Sequence, residues 1–194
     1  GLGDVYKRQG INFILYYAPE ILEKAGFASS ESLLSSIAIG IVNLLFTFLG
    51  MYLIDRAGRK QLMYWGSYGY IISLFMVAYG FYSGASAAFN LTFILLFIAS
   101  HAIGQGAVIW VFISEIFPNK VRAAGQAFGS SVHWVFAALV TLFGAILINA
   151  FEPWQVFGLF GFLMVLQLLF VFKMMPETKG KSLEELEKEL TSNE

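Results

Sequence analysis

The hydrophobic positions of this chain fall into six long, predominantly apolar runs separated by short polar connections. The runs cover residues 10–27, 33–54, 62–81, 89–113, 123–148 and 156–172. A helix needs about 20 residues to cross the hydrocarbon layer of a bilayer, and these runs are close to that length. Strands of membrane β-barrels are about half as long and alternate in polarity, which these runs do not. The pattern therefore predicts an all-α membrane protein, a bundle of six helices.

The composition supports the same class. Hydrophobic residues make up 58% of the chain, charged residues make up 13%, and the mean hydropathy is +0.70. These values lie outside the range of soluble globular domains. The chain has no cysteine, so disulfide and thiol chemistry are excluded for it. The net charge of -1 gives no indication of binding to nucleic acid.

The positions of lysine and arginine predict the orientation in the membrane. Cationic connections stay on the cytoplasmic side during insertion. The connections after the first, third and fifth runs carry no cation, and only Lys24 lies near that side. The cations of the other side follow the second, fourth and sixth runs: Arg56, Arg59, Lys60, Lys120, Arg122, Lys173, Lys179, Lys181 and Lys188. Both ends of the chain are therefore expected to be cytoplasmic.

The first nine residues have a different character. The segment "DVYKRQ" resembles the translated end of a transposase adapter used in sequencing libraries, so we interpret residues 1–9 as an adapter scar. A genuine basic leader is the alternative. On this interpretation, the native sequence begins near Gly10. The chain is then a fragment that lacks part of the first span.

Four short segments carry a resemblance to a known family. They are "GINFILYYAPEI" at 10–21, "DRAGRK" at 55–60, "WVFISEIFPNKVR" at 110–122 and "PETKGKSLEELE" at 176–187. Their order and spacing resemble the C-terminal half of a sugar porter of the major facilitator superfamily, a group that includes bacterial xylose and galactose symporters and facilitative glucose carriers. The resemblance implies that residues 10–175 form the last six of twelve spans and that residues 176–194 form a cytoplasmic tail.

The resemblance also implies a function. A sugar porter is a secondary transporter that moves a hexose or pentose across the membrane by alternating access. We expect this transport to be coupled to protons. We expect the carrier to lie in a plasma membrane, in particular a bacterial inner membrane. Its partners would be the sugar, the lipid bilayer and an N-terminal six-helix half. A facilitative sugar or polyol uniporter and a nontransporting sugar sensor are the alternatives. We expect no enzyme activity, metal or cofactor beyond a coupling proton, because two histidines 32 positions apart supply neither a nucleophile with its base nor a metal site.

The first span contains candidate sugar and gate residues. Polar side chains inside a span are costly without a partner, and an asparagine can both donate to and accept from sugar hydroxyls. A hydrogen bond between helices is the alternative for Asn12. The resemblance implies sugar contact for Asn12 and an outer gate at Tyr16 and Tyr17, with a kink permitted by Pro19. The paired glutamines that the family has just before "GIN" are absent from this chain.

The second and fourth spans add two more candidates. Asn43 shares a polar helix face with Thr47, and the motif "GIVN" resembles the family's second sugar-binding asparagine, although a bond between helices is again the alternative. Trp110 resembles the cavity tryptophan of the family, and its alternative is an interfacial anchor. His101 lies nearly opposite Trp110 on an ideal helix, so we expect it to line a different surface and to make a structural bond. Many relatives have Gly-Pro where this chain has Gly106-Ala107, which makes the usual helix break there uncertain.

The fifth span places Gln126, Ser130 and His133 on one helical face. His133 occupies the position where relatives have an amide side chain, and Trp134 matches the tryptophan beside it. A neutral imidazole offers one donor and one acceptor, so His133 is a candidate sugar ligand and a weaker candidate for proton coupling.

Charged residues at the inner face form the last candidate site. Topology alone would explain the cations but not the carboxylates Asp55 and Glu115. The resemblance implies an inner latch of ion pairs that closes the cytoplasmic mouth, with Gly58 allowing a tight turn. The predicted latch consists of Asp55, Arg56, Gly58, Arg59, Glu115, Arg122 and Glu177. In the tail, Ser182 and Glu185 form a capping box that predicts an amphipathic helix.

Overall fold

A computed structural model describes residues 11–115, 117, 121–175 and 178–180. The described part is helical and contains no strand, which confirms the all-α prediction. A π-helical turn at Ala102–Gly106 joins α4 to α5, so these two helices form one broken span and the chain has six helical units. The helices are α1 (Ile11–Lys24), α2 (Ser29–Ala57), α3 (Arg59–Ser83), α4 (Ala87–His101), α5 (Ala107–Glu115), α6 (Arg122–Ala150) and α7 (Pro153–Met174). The predicted scar at 1–9 and the predicted tail helix lie outside the described residues.

Four helical stretches are long and apolar enough to cross a membrane by themselves: Leu34–Ala57, Ala87–Glu115, Arg122–Gly144 and Pro153–Lys173. The other two predicted spans correspond to α1 and α3. α1 has 14 described residues, and α3 has 25 residues that include many tyrosines, serines and glycines. Such a helix can still lie within a bilayer when its polar side is covered by neighbouring helices.

The bundle has two buried apolar clusters, both of which involve α3. The larger cluster joins α1, α3, α4 and α7 through residues such as Leu22, Tyr70, Leu74, Phe97 and Phe157. The smaller cluster lies where α2 ends and α3 begins, and joins them to α5 and α7. One face of α3 is therefore buried in both clusters, whereas its opposite face exposes large side chains such as Trp65, Tyr68, Ile72 and Tyr79.

α2 and α6 are covered much less. Only 17% of the most apolar part of α2 and 6% of that of α6 are buried within the chain. Their exposed side chains are large and apolar, among them Leu44, Phe48, Phe128 and Leu142. Apolar surface of this extent needs lipid or another protein surface to cover it.

The turn between α2 and α3 is as tight as the sequence predicts. α2 ends at Ala57 and α3 begins at Arg59, so Gly58 alone forms the connection. Its φ of 94° is a conformation that side chains with a Cβ rarely adopt. The turn places Asp55 and Arg59 near each other at the end of the bundle.

Two helices are interrupted inside the bundle. Tyr17 in α1 has φ of -106° and ψ of 15°, two residues before Pro19, so the expected kink is present. The π turn breaks the fourth span although Pro is absent from it. Gly104 and Gly66 permit close packing of the π turn against α3, because a Cβ on Gly104 would lie 2.7 Å from the Gly66 Cα.

Candidate functional site

An ion pair between Arg59 and Glu115 forms the centre of the charged end. Arg59 Nη2 lies 2.7 Å from Glu115 Oε1, and Nε lies 3.2 Å from Oε2, so the guanidinium donates to both carboxylate oxygens. The side chains are 11% and 21% exposed. Two parallel hydrogen bonds give this pair more strength and directionality than a single contact. It joins the start of α3 to the end of α5.

Arg59 also contacts the end of α2. Its Nη1 donates to the Ile54 carbonyl at 3.2 Å and lies 3.1 Å from Asp55 Oδ1. This carbonyl also accepts the backbone N–H of Gly58 at 3.2 Å, so Arg59 adds a second hydrogen bond at the end of α2. The Asp55 side chain is 79% exposed, so solvent weakens its attraction to Arg59. Glu115 is therefore the main ionic partner of Arg59.

The segment after α7 returns to this charged end. Thr178 is buried, and its hydroxyl donates to Glu115 Oε2 at 2.6 Å. The Lys179 ammonium donates to the Arg56 carbonyl. Glu115 thus accepts hydrogen bonds from both Arg59 and Thr178. The sequence interpretation missed Thr178 and Lys179, although both are part of the quoted "PETKG" segment.

The remaining predicted latch residues are placed differently. The Arg56 guanidinium carbon lies 4.2 Å from the centre of the Tyr52 ring, a cation–π contact within α2. Arg122 has two buried nitrogens, Nε and Nη2, that find no hydrogen-bond partner among the described residues. Glu177 lies outside the described residues. The structure therefore brings together Asp55, Arg59 and Glu115, and it does not bring Arg56 or Arg122 into their ion pairs.

An aromatic surface joins α5 to α6. The ring centres of Trp110 and His133 lie 5.1 Å apart at an angle of 66°, and those of His133 and Trp134 lie 5.4 Å apart at 86°. Trp110 is 44% exposed and Trp134 is 62% exposed, whereas His133 is half-buried between them. The three predicted sugar contacts of these spans thus form one contiguous surface, which we call the aromatic surface.

The other predicted contacts lie on α1 and α2. Asn43 is half-buried, and its backbone carbonyl accepts a hydrogen bond from the Thr47 hydroxyl at 2.7 Å. The backbones of Asn12 and Tyr16 belong to α1, but their side chains lie outside the described residues. Tyr17 and Pro19 are half-buried, and Tyr17 packs against the larger apolar cluster.

His101 makes the structural bond that its sequence position predicts. Its Nδ1 is hydrogen-bonded to the Tyr70 hydroxyl, which joins α4 to α3. One turn further, the Gln105 amide donates to the Ser67 hydroxyl at 3.3 Å, and both residues are buried. Tyr70 and Ser67 were not singled out from the sequence, because a tyrosine or serine in an apolar helix gives no signal of its partner.

The expectation that His101 and Trp110 line different surfaces stays a prediction. Trp110 packs on the ring of His133, whereas His101 contacts Tyr70. The π turn lies between His101 and Trp110. A π-helical turn holds more residues than an α-helical turn, so the residues after it are rotated relative to an uninterrupted helix.

Comparisons with known proteins show the family and the fold. The sequence matches the family described as "Sugar (and other) transporter" over residues 6–190. It is 37% identical to the D-xylose-proton symporter of Escherichia coli, over 92% of this chain, and 34% identical to the glucose facilitated diffusion protein of Zymomonas mobilis, also over 92%. The fold is similar to that of the proton:xylose symporter XylE of the major facilitator superfamily, solved with 6-bromo-6-deoxy-D-glucose. The TM-score is 0.85 at 35% identity, over 96% of this chain.

The matches cover only part of each relative. This chain spans 38% of the E. coli symporter, 39% of the Z. mobilis protein and 40% of the solved XylE chain.

Proposed function

We propose that this chain, which belongs to the sugar (and other) transporter family, is the C-terminal half of a secondary transporter that moves a monosaccharide by alternating access and couples it to proton movement. The observation that carries the substrate class is the aromatic surface of Trp110, His133 and Trp134. It offers exposed rings and a polar imidazole, in a chain whose relatives include a xylose symporter and a glucose carrier. Indole rings pack on the apolar faces of a sugar while their N–H groups donate to its hydroxyls.

The proposed sugar contacts are distributed over four helices. His133 supplies one donor and one acceptor, and Asn12 and Asn43 supply amides that bind a hydroxyl pair. Trp110 and Trp134 supply the flat apolar faces. The half-buried position of His133 between two more exposed indoles favours a pocket with a polar floor and aromatic walls.

We propose that the charged end is the cytoplasmic latch and that Arg59 and Glu115 are its centre. Their bidentate pair and the bond from Thr178 hold α3, α5 and the tail together while the carrier faces outward. Gly58 positions Arg59 through the tight turn, and the exposed Asp55 adds a weaker attraction. Because the ion pair is partly exposed to solvent, breaking it costs little free energy. The latch can therefore open in every transport cycle.

The remaining predicted latch and gate residues enter the proposal at different places. Arg56, Arg122 and Glu177 would join the latch only through residues of the N-terminal half or through undescribed neighbours.

At the opposite end of the bundle, Tyr16 and Tyr17 form the outer gate. Pro19 and the kink at Tyr17 make that part of α1 able to bend.

The proposed setting is a bacterial inner membrane, with both chain ends in the cytoplasm. The cations that follow α2, α5 and α7 support this orientation. The proposed partners are the lipid bilayer and an N-terminal half of six helices, which would cover part of the exposed surface of α2 and α6.

The test is uptake of labelled xylose, glucose and galactose by the full-length carrier in cells that lack sugar transport, with and without a protonophore. Accumulation that the protonophore abolishes is the expected result. Sugar binding without uptake would favour a sensor, and the absence of both binding and uptake would overturn the proposal.

Facilitated diffusion is the second candidate. The similarity to the Z. mobilis facilitated diffusion protein favours it. In this case the same cells would equilibrate the sugar without concentrating it, and the protonophore would have no effect.

A further inference from the structure

His133 is the histidine of the aromatic surface, and the proposed transport function uses only its hydrogen-bonding groups. Its ring centre lies 5.1 Å from that of Trp110 and 5.4 Å from that of Trp134, at angles of 66° and 86°. His133 is half-buried, whereas both tryptophans are exposed. An imidazole gains or loses a proton between about pH 5 and 8, which an indole does not. The aromatic surface therefore contains one group whose charge depends on pH.

Protonation changes which hydrogen bonds His133 can make. A neutral imidazole has one donor and one acceptor nitrogen, whereas an imidazolium has two donors and no acceptor. A sugar hydroxyl that donates to the neutral ring therefore loses its acceptor when the ring is protonated. A hydroxyl held at a desolvated surface without an acceptor costs free energy. The neutral ring is thus the better partner for a sugar that donates to it.

Protonation also changes how the imidazole interacts with the two indoles. A cation within about 6 Å of the centre of a tryptophan ring is attracted to the face of that ring. The ring centres of Trp110 and Trp134 both lie within this distance of the His133 ring. This attraction favours packing of the indoles on the imidazolium, and a sugar has to compete with the charged ring for the same indole faces. Both effects of protonation weaken sugar binding.

The other ionisable groups around His133 come from four elements. α6 packs on α1, α5 and α7. In α5 the ionisable residue is Glu115, at the end of the helix. The other ionisable residues of these elements whose side chains are described are Tyr17, Glu20, Glu23 and Lys24 of α1, Arg122 at the start of α6, and Glu152 and Lys173 near the two ends of α7. In α4, His101 interacts electrostatically with His133, so its titration has to be separated from that of His133.

We propose that His133 is a pH sensor of the sugar site: the monosaccharide binds the neutral imidazole, and protonation of His133 lowers the affinity of the aromatic surface for the sugar. The two binding events oppose each other reciprocally, so the bound sugar also displaces the proton from His133. This inference rests on the proposed sugar site. It does not make His133 the coupling site of a symporter, at which the proton and the sugar would each promote binding of the other.

The test measures equilibrium binding of xylose, glucose and galactose to the purified full-length carrier in detergent, at about pH 8 and at about pH 5.5, on either side of the histidine range. In wild type we expect the affinity to fall on the order of 10-fold at the lower pH, the effect of one lost hydrogen bond. His133→Gln keeps a donor and an acceptor but does not titrate. Whatever its affinity at the higher pH, this variant should show a smaller ratio between the two affinities, and so should His133→Asn.

His101→Gln is the matched control, because it removes the other histidine of the chain and leaves His133 in place. Its ratio of affinities at the two pH values should equal that of wild type. A calorimetric measurement follows the proton itself. Sugar binding at about pH 6, in buffers of different ionisation enthalpy, should release protons in wild type and in His101→Gln, and should release fewer in His133→Gln.

Two results would overturn the inference while sugar transport stands. One is a wild-type affinity that either does not change with pH or changes as much as that of His133→Gln, since the titrating group would then not be His133. The other is tighter binding at the lower pH that depends on His133, because the proton and the sugar would then bind together. A wild-type carrier that binds no monosaccharide at either pH would instead refute the proposed function, and the inference with it.

Discussion

At the scale of single residues, Arg59 makes the largest number of defined contacts at the charged end. Its guanidinium reaches both Glu115 oxygens, the Ile54 carbonyl and Asp55. A lysine has the same charge but cannot form the two parallel bonds that the planar guanidinium makes. The geometry of the side chain therefore matters as much as its charge.

We predict that Arg59→Lys loosens the latch, at a cost on the order of 2 kcal/mol for a lost charged hydrogen bond. This chain has no cysteine, so in a full-length carrier from which any cysteine elsewhere has been replaced, a single cysteine introduced at Gln126 can report opening through its labelling rate from the cytoplasmic side. Labelling should become faster in Arg59→Lys. Asp55→Asn is the control, since the Asp55 side chain is 79% exposed, and it should change labelling little. Equal labelling in all three proteins would contradict a latch at Arg59.

A second residue prediction concerns Gly106. Gly106→Ala places a methyl group 3.1 Å from both Nε2 and the backbone oxygen of His101. We expect a lower melting temperature, because these contacts are tighter than ordinary packing and the backbone oxygen cannot easily move aside. Gly158→Ala adds a methyl group where no atom lies within 4 Å, so thermal stability should be retained. The prediction fails if the two alanine variants melt at the same temperature.

At the scale of elements, the close contact between α3 and the π turn depends on two glycines. Gly66 and Gly104 face each other, and a Cβ on either would meet backbone atoms closer than 3.0 Å. Backbone atoms cannot move aside as a flexible side chain can. The contact also holds the buried Gln105–Ser67 hydrogen bond beside it.

We therefore predict that Gly104→Ala lowers the melting temperature of the purified carrier, by an overpacking cost of about 1–3 kcal/mol. Gly158→Ala again serves as the comparison, since it adds the same methyl group in open space. Thermal unfolding followed by circular dichroism in detergent distinguishes them. An unchanged melting temperature in Gly104→Ala would show that α3 and the π turn are not packed as closely as described.

A second prediction at this scale concerns the segment after α7. Thr178→Val keeps the shape of the side chain and removes the hydroxyl that donates to Glu115. We expect faster labelling of the cysteine at 126 from the cytoplasmic side, because Glu115 keeps only Arg59. Thr178→Ser retains the hydroxyl and should behave like wild type. If Thr178→Val also labels at the wild-type rate, the segment does not support the latch.

At the scale of the whole molecule, burial is unevenly distributed. α3 buries one face among its neighbours, whereas α2 and α6 are exposed along most of their length. An apolar face of this kind is consistent with a chain that spans about 40% of its relatives' length. Under the proposed function, the remaining length supplies the surface that faces the sugar from the other side.

The predicted orientation can be tested in intact cells. Single cysteines at Ser83, at the end of α3, and at Lys173, near the end of α7, lie at opposite ends of the bundle and are both exposed. A membrane-impermeant thiol reagent should label the cysteine at 83 in intact cells and the one at 173 only after the membrane is opened. The reverse pattern would refute the cytoplasmic location of the chain ends.

Much of this protein follows from the sequence alone. The apolar runs determine six helical units, because a helix in lipid must satisfy its own backbone and be covered by apolar side chains. Gly58 determines the tight turn, because it takes a backbone conformation that a Cβ disfavours. The sequence motifs indicate the family. They also indicate Arg59 and Glu115 as charged residues of the inner face, and these two residues form an ion pair in the structure.

Only the tertiary structure decided which side chains meet. Periodicity places residues on a face of an ideal helix, and it fails where the helix is not ideal. The fourth span contains a π turn although it has no proline, and after this turn Trp110 packs on His133 of α6. Similarly, Arg56 and Arg59 have the same charge and lie three positions apart, yet one packs on Tyr52 and the other on Glu115. The order of charged residues along the chain gives candidates for ion pairs. The packed bundle determines which way each side chain points and which residues remote in sequence it can reach.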